Sequence, residues 1–349
     1  MISVFARHLP DVPHIPLLYP NLGRQERESI LFLNNAFRRL TDPIVRTVDR
    51  PEDADFLLVP HNYSSIRRET GYFSDMVRLA ERTGKKILVF WHGDGDGPVP
   101  YPHTVIVRTS QYRYRMRPNE IMMPAYAEDL LGDASLQVRS KGEGTPVVGF
   151  CGWVTYKNAK NAVGTTVKNA LVDVRKAFVR NPALEAEKKG ITLRRKALAV
   201  LESSARVRCN VIRRRSYSGH ASTIGLDPAQ ARREYVDNML RSDLSLVVKG
   251  DGNYSYRFYE ALSLGRVPLF LDTACCLPLA DVIDYGSFLL TVDVADLSRL
   301  ADIAAERFAA LSDEEFQAMQ KSARAAFDRY LRVDRYLPYL CDRVLPRYT

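Results

Sequence analysis

Residues 242–285, SDLSLVVKGDGNYSYRFYEALSLGRVPLFLDTACCLPLADVIDY, restrict the fold more than any other stretch of this chain. Leu244-Ser-Leu-Val-Val248 is a short, β-rich apolar run, and Lys249-Gly-Asp-Gly-Asn253 is a glycine loop with a cation at its mouth. Ser255 is placed to cap a helix running to Leu264, and Gly265 to end it in the left-handed conformation. Val267-Pro-Leu-Phe-Leu271 is a second apolar run. Strand, loop, helix and strand in so few residues make one parallel βαβ crossover, which commits the chain to a parallel sheet.

The loop carries its own chemistry. Glycines let backbone N–H groups approach a ligand, a helix N-terminus adds partial positive charge, and Lys249 and Arg257 add full charges. Together Lys249, Gly250, Asp251, Gly252, Ser255 and Arg257 suit a phosphate or diphosphate at the C-terminal edge of a sheet. Glu260, three residues after Arg257 on the same helix face, can accept hydrogen bonds from ribose or sugar hydroxyls. The competing reading is a surface Arg257–Glu260 pair on an ordinary helix, and spacing alone leaves both open.

The order of elements reaches further. Ser242, Lys249-Gly-Asp-Gly252, Ser255-Tyr-Arg-Phe-Tyr-Glu-Ala-Leu262, Gly265 to Pro268, Leu277-Pro278 and Asp281-Val-Ile-Asp-Tyr285 together resemble the central segment of the exostosin family of glycosyltransferases. The departures are Ser245 where the family often has Cys, Val248 where it often has Pro, Lys249 for Arg and Tyr285 for Trp. Lys249 keeps the charge without the forked geometry of Arg. Asp55-Phe-Leu-Leu-Val-Pro60 resembles a further strand of the family. Pro146-Val-Val-Gly-Phe-Cys-Gly-Trp153 resembles the strand before its donor-side glycine turn, where Lys157 stands in place of the family's arginines as a candidate phosphate ligand.

At 349 residues the chain has room for two domains. Its 46% hydrophobic and 26% charged residues are ordinary for a globular protein. No apolar run approaches the roughly 20 residues of a membrane-spanning helix. The five cysteines are odd in number and form no CxxC pair, which speaks against a disulfide framework or a structural zinc site. The net charge is +9, and Lys188 to Arg215 alone holds ten Lys or Arg against one Glu. A solvated helix face, an anionic membrane surface and a polyanionic substrate all fit that run. Nucleic acid does not, because no binding motif and no interleaved aromatics accompany it.

Elsewhere, apolar runs predict strands at residues 2–5, 55–60, 86–91, 104–108, 120–123, 146–153, 207–212 and 288–292. Periodicity predicts helices at 25–39, 73–83, 163–178, 190–205, 229–240, 297–311 and 314–331. His92-Gly-Asp-Gly-Asp-Gly97 follows the 86–91 strand. It reads as a polar turn, as an acceptor-side loop offering His92 or Asp94 as a general base, or as an Asp94-Gly-Asp96 metal motif. His61 ends the 55–60 strand and is a further base candidate. Arg113, Arg115 and Arg117 alternate with aromatic and Met residues, which suits an acidic acceptor or plain solvent. Arg213 and Arg215 end the 207–212 strand and are candidate diphosphate ligands.

The alternation of strands and helices gives an α/β class with parallel sheets. The resemblance implies two Rossmann-like domains facing a cleft, the GT-B type: 1–140 for the acceptor and 145–331 for the nucleotide sugar. Residues 332–349 would pack back on the first domain. It implies inverting transfer from a nucleotide-diphosphate sugar, a UDP-sugar first, to a glycan or lipid-linked glycan of a cell-surface polysaccharide. Asp94 would be the base, with His61 and His92 behind it, and no metal or other cofactor would be required. The expected location is the cytoplasm, with peripheral contact at an anionic membrane face. The alternatives are a metal-dependent transferase using Asp94 and Asp96, and a non-catalytic carbohydrate- or polyanion-binding protein on the same fold.

Overall fold

Apolar side chains alternate along the central strands of the first half, and that alternation builds two cores at once. In β3 (Phe56–Asn62) and β4 (Lys86–Trp91), Phe56, Leu58, Leu88 and Phe90 face the large core shared with the second half. Leu57, Val59, Ile87, Val89 and Trp91 face a smaller core closed by Phe73, Met76 and Ala80 of helix Thr70–Thr83. Both faces are covered, so the strands read as continuous apolar runs. Each such side chain fully buried contributes about 1.5–3 kcal/mol before the entropy of ordering it. The computed structural model describes residues 1–24, 31, 33–156, 158–216, 219–220 and 223–349. Lys157 and most of the N-terminal part of the expected 25–39 helix lie outside them; Leu33–Ala36 is helical.

The first sheet has six parallel strands in the order β2-β1-β3-β4-β5-β6, adding β1 (Ser3–Ala6), β2 (Arg46–Thr47), β5 (Thr104–Arg108) and β6 (Glu120–Met122). The second has five parallel strands in the order β11-β10-β9-β7-β8. These are β7 (Val147–Trp153), β8 (Arg208–Arg214), β9 (Leu244–Val247), β10 (Val267–Asp272) and β11 (Leu290–Asp293). The expected crossover is present: β9 pairs with β10, Leu246 opposite Leu269, with helix Tyr256–Ser263 between them. Phe258, Ala261 and Leu262 bury against the sheet. Gly265 ends the helix at φ +60°, where a Cβ would also come within 2.5 Å of Leu136. Two parallel α/β halves face each other across a cleft, the GT-B arrangement.

The arginines of 113–117 do not form an open basic strand. Arg113–Arg115 is a 3-10 turn that fastens the halves together. Arg113 grips Asp272 with both terminal nitrogens (3.0 and 2.7 Å) and donates to the Cys275 carbonyl at 2.9 Å. Arg115 bonds Asp96 at 3.0 Å and Glu187 at 2.6 Å. Tyr112 and Cys275 form an antiparallel bridge, and the Asn253 N–H donates to Ser110 Oγ at 2.9 Å. At the C-terminus, helix Val333–Tyr339 buries Tyr336, whose hydroxyl donates to the Met122 carbonyl at 2.8 Å.

The basic run is largely neutralised by local partners. Lys188 sits between Asp173 (2.7 Å) and Glu185 (2.8 Å), Arg206 reaches Asp302 and Glu306, and Arg213 is bound by Glu202. Among the described residues no helix is long and apolar enough to cross a membrane. Cys151 is buried in β7 as a small apolar residue, and all five thiols are free.

Candidate active site

Parallel strands leave their C-terminal ends on one edge, and the loops leaving those ends line a cleft of about 1330 Å³. The first half contributes His14, Asn62, His92, Gly93, Asp94, Tyr126 and Glu128. The second contributes Gly152, Trp153, Lys189, Arg194, Arg214, Arg232, Tyr235, Val248, Gly250, Asp251, Tyr254 to Arg257, and Glu260.

The His92–Gly97 loop is held from beneath by a buried arginine. Arg108 donates to the Gly95 carbonyl at 2.7 Å and the Gly97 carbonyl at 3.0 Å, and pairs with Glu120 at 2.6 Å. Both members of that pair are fully buried, so removing either would strand a charge. Thr109 Oγ1 donates to the Gly93 carbonyl and accepts from its N–H. The loop is therefore rigid where Asp94 leaves it. Asp94 Oδ1 accepts from the Gly252 N–H at 3.1 Å, so the two glycine-aspartate loops of the chain meet here. Close approach requires the glycine: a Cβ at residue 252 would lie 2.7 Å from Asp94 Cα. Loss of hydration pushes the Asp94 carboxyl up, with Asp251 adding to the rise, while the Gly252 N–H, the Tyr254 hydroxyl and Lys189 pull it down.

Asp96 points elsewhere, to Arg115 at 3.0 Å. The two carboxylates of the expected metal motif thus diverge, one to the cleft and one to the seam between the halves. Among the described residues no group of three His, Cys, Asp or Glu side chains is arranged to hold a metal ion.

His92 lies flat on Tyr126, ring centroids 4.2 Å apart, with Nε2 3.3 Å from the Tyr256 hydroxyl. Burial holds its imidazole down to about 4, so it is neutral at physiological pH. His61 does not reach the cleft. It is fully buried, Nε2 accepts from the Leu9 N–H at 2.8 Å, and Nδ1–H donates to the Pro13 carbonyl at 3.0 Å. Both ring nitrogens are spent on the proline-rich loop, and none is left for an acceptor hydroxyl. Pro60 supplies the local reason. It lacks the N–H for the β3–β4 ladder, the register shifts between Leu58 and Asn62, and His14 bridges His61 instead. His14, in the proline-rich loop after β1, lines the cleft.

On the second-half wall, Ser255 stands at the N-cap with extended backbone, but its hydroxyl makes no capping bond. Arg257 crosses to the Cys151 carbonyl and lies over Phe150 (4.3 Å) and Tyr235 (5.0 Å). That fixes its guanidinium beside Gly152, where a Cβ would meet Arg257 Nη2 at 2.7 Å. Glu260 accepts from Arg232 at 3.1 Å and from the Tyr235 hydroxyl at 2.6 Å, and Arg232 also binds Glu128. It belongs to a polar cluster on the cleft wall, and the surface Arg257–Glu260 pair does not form.

Three expected donor ligands lie elsewhere. Lys249 is buried, its amine donating to the Tyr112 hydroxyl at 2.8 Å and to the Ala186 carbonyl. Burial lowers it to about 8. Its backbone carbonyl faces Arg194, which donates to it at 3.1 and 3.3 Å and to the Trp153 carbonyl at 3.1 Å. Arg213 and Arg215 are exposed on the side of β8 away from the cleft, and Arg214 between them faces it, bound to Glu234. Side chains on a strand alternate, so the middle arginine is the inward one. Gly250 and Asp251 line the cleft, with Asp251 3.8 Å from Lys189.

The Exostosin GT47 domain family matches residues 175–306. The "Exostosin-1 homolog" of Caenorhabditis elegans is 30% identical over 101 residues, 29% of this chain and 25% of that protein, so the match spans a quarter of the relative's length. Among solved structures, the crystal structure of TarM superposes over 80% of this chain and 53% of its own, at 8% identity and a TM-score of 0.34. The matched segment contains the glycine loop, the Arg257–Glu260 helix and the β9–β10 crossover, so this part of the chain is similar to the exostosin GT47 domain.

Proposed function

We propose that the protein is an inverting glycosyltransferase that moves a sugar from a nucleotide-diphosphate sugar, a UDP-sugar first, to a hydroxyl of a glycan or lipid-linked glycan. The observation that carries this reading is the meeting of two chemically different walls in one cleft. Asp94 and His92 come from the first half, and Arg257, Glu260 and the N-terminus of helix Tyr256–Ser263 from the second. The cleft exceeds the roughly 300–1,000 Å³ of an ordinary small-molecule pocket, which leaves room for donor and acceptor together.

Asp94 takes the proton of the acceptor hydroxyl. Its raised pKa makes it a stronger base than a free aspartate. The hydroxyl oxygen attacks the anomeric carbon as the bond to the diphosphate oxygen breaks on the opposite face, which inverts the configuration. Negative charge grows on the leaving diphosphate. Arg257, Arg194, Arg214, Lys189 and the helix N-terminus offer it counter-charge that is already oriented. Arg257 spends one N–H on the Cys151 carbonyl, and a guanidinium has five. Glu260, oriented by Arg232 and Tyr235, faces the ribose or the donor sugar.

A thermal-shift panel of nucleotide sugars, run with and without EDTA, tests this. One nucleotide sugar should raise the melting temperature regardless of chelator. Arg257→Ala should abolish the shift, and Glu260→Gln should weaken it. A shift unchanged in Arg257→Ala refutes the phosphate role, and a shift that vanishes in EDTA and returns with Mn²⁺ refutes the metal-free reading.

A further inference from the structure

Six of the twelve large apolar side chains that stay exposed among the described residues lie on one helix, Ala159–Val179. Val163, Val167, Leu171, Val174 and Phe178 follow steps of 4, 4, 3 and 4, which lines them along a single stripe. Phe178 is 90% exposed and Val174 68%. The opposite face meets the protein and is largely polar. Thr165 is buried there, and Asn169 bonds Thr192 Oγ1 at 2.7 Å and the Lys189 N–H at 3.2 Å. The usual amphipathic order is inverted, with small and polar groups inward and the apolar stripe outward.

A stripe of this kind is covered in use, and its charged rim indicates by what. Lys160, Lys168 and Arg180 are exposed and form no ion pair among the described residues. The helix has one acid, Asp173, already held by Lys188 at 2.7 Å. A second copy of this face would oppose cations to cations. Anionic lipid headgroups match both the rim and the stripe. We infer that the outer face of helix Ala159–Val179 docks on an anionic lipid bilayer, its apolar stripe entering the headgroup–acyl boundary. This shifts the expected membrane contact from the 188–215 run, whose charges are largely paired within the fold, to the preceding helix. Lys160 and Lys168 also line the cleft, so docking would turn the cleft mouth toward the bilayer.

Co-sedimentation of the full chain with vesicles tests this without any transferase activity, so its outcome is separable from that of the proposed reaction. Wild type should bind phosphatidylglycerol–phosphatidylcholine vesicles at low salt and leave them as salt is raised. The double variant Leu171→Glu, Phe178→Glu should bind at least about tenfold more weakly, because two bilayer-inserting side chains are replaced by charges. Both sites are exposed, so its melting temperature should match wild type. Equal binding by variant and wild type, or no binding by wild type, overturns the inference. Equal binding to pure phosphatidylcholine overturns its electrostatic half. A wild-type dimer in light scattering that dissociates in the variant overturns it in favour of a second copy.

Discussion

Lys249→Met separates two roles for the cation of the glycine loop. A lysine that held the leaving diphosphate would cost tenfold or more in nucleotide affinity when lost. The observed Lys249 instead lies between Tyr112 and the Ala186 carbonyl, with its pKa lowered from 10.5 to about 8 by burial. The sign follows from proton binding. Between those two values the unfolded chain binds the proton and the folded chain does not, so folding stability rises with pH through that window. From pH 7 to pH 9.5 the rise from this group alone is about 2 kcal/mol. Methionine has no proton to lose, so the difference in unfolding free energy between wild type and Lys249→Met should widen by about that amount over the interval, in favour of wild type. Urea titrations at several pH values measure it, and nucleotide affinity measured in parallel should change by less than about twofold. Stability curves that stay parallel, or a large loss of affinity, would refute the buried assignment.

Asp94→Asn should lower kcat by about 10²–10⁴-fold and remove the acidic limb of the pH–rate profile. In wild type that limb should lie above the usual aspartate range, because the Asp94 carboxyl is raised; a limb that survives in the variant would move the base elsewhere. His61→Ala should destabilise the fold by roughly 2–4 kcal/mol through lost hydrogen bonds and a cavity, with nucleotide affinity unchanged. The His61 pKa is lowered, chiefly by burial, so the stability it supports is present above about 6.5 and lost as pH falls through the lowered value. His61→Ala should flatten that acidic slope, as urea titrations on both sides of it would show.

The order of elements was legible because the strands are nearly all apolar runs separated by polar turns. The expected strands all formed, and the unforeseen β2 is two residues long, too short to carry a period. The second-half wall of the cleft was legible where a helix sets direction: Ser255, Arg257 and Glu260 reach the cleft as their spacing implies. Single residues went astray where one step of a strand or loop reverses a side chain. Arg214 faces inward and its neighbours outward, and Val248 and Gly250 line the cleft while Lys249 turns away. A strict application of strand alternation would have separated Arg214 from Arg213 and Arg215. Nothing local marks Arg232, Tyr235, Arg194 or Tyr126. They become neighbours of the site only when distant strands close the cleft. Asn253 is similar: its amide donates to the Gln111 and Thr273 carbonyls, and only the folded chain reveals that bridge.

The Arg113–Asp272 fork, the Tyr112–Cys275 bridge and the Asn253 contacts together join the two halves. Sliding one half past the other would break a two-point guanidinium–carboxylate grip and the backbone bridge together. Gly252, whose N–H Asp94 accepts, is the residue next to the Asn253 anchor. The backbone that fastens the halves therefore also presents the carboxylate with its N–H partner, and that N–H works against the rise that lost hydration imposes on Asp94. The aspartate's basicity is thus tied to the integrity of the seam.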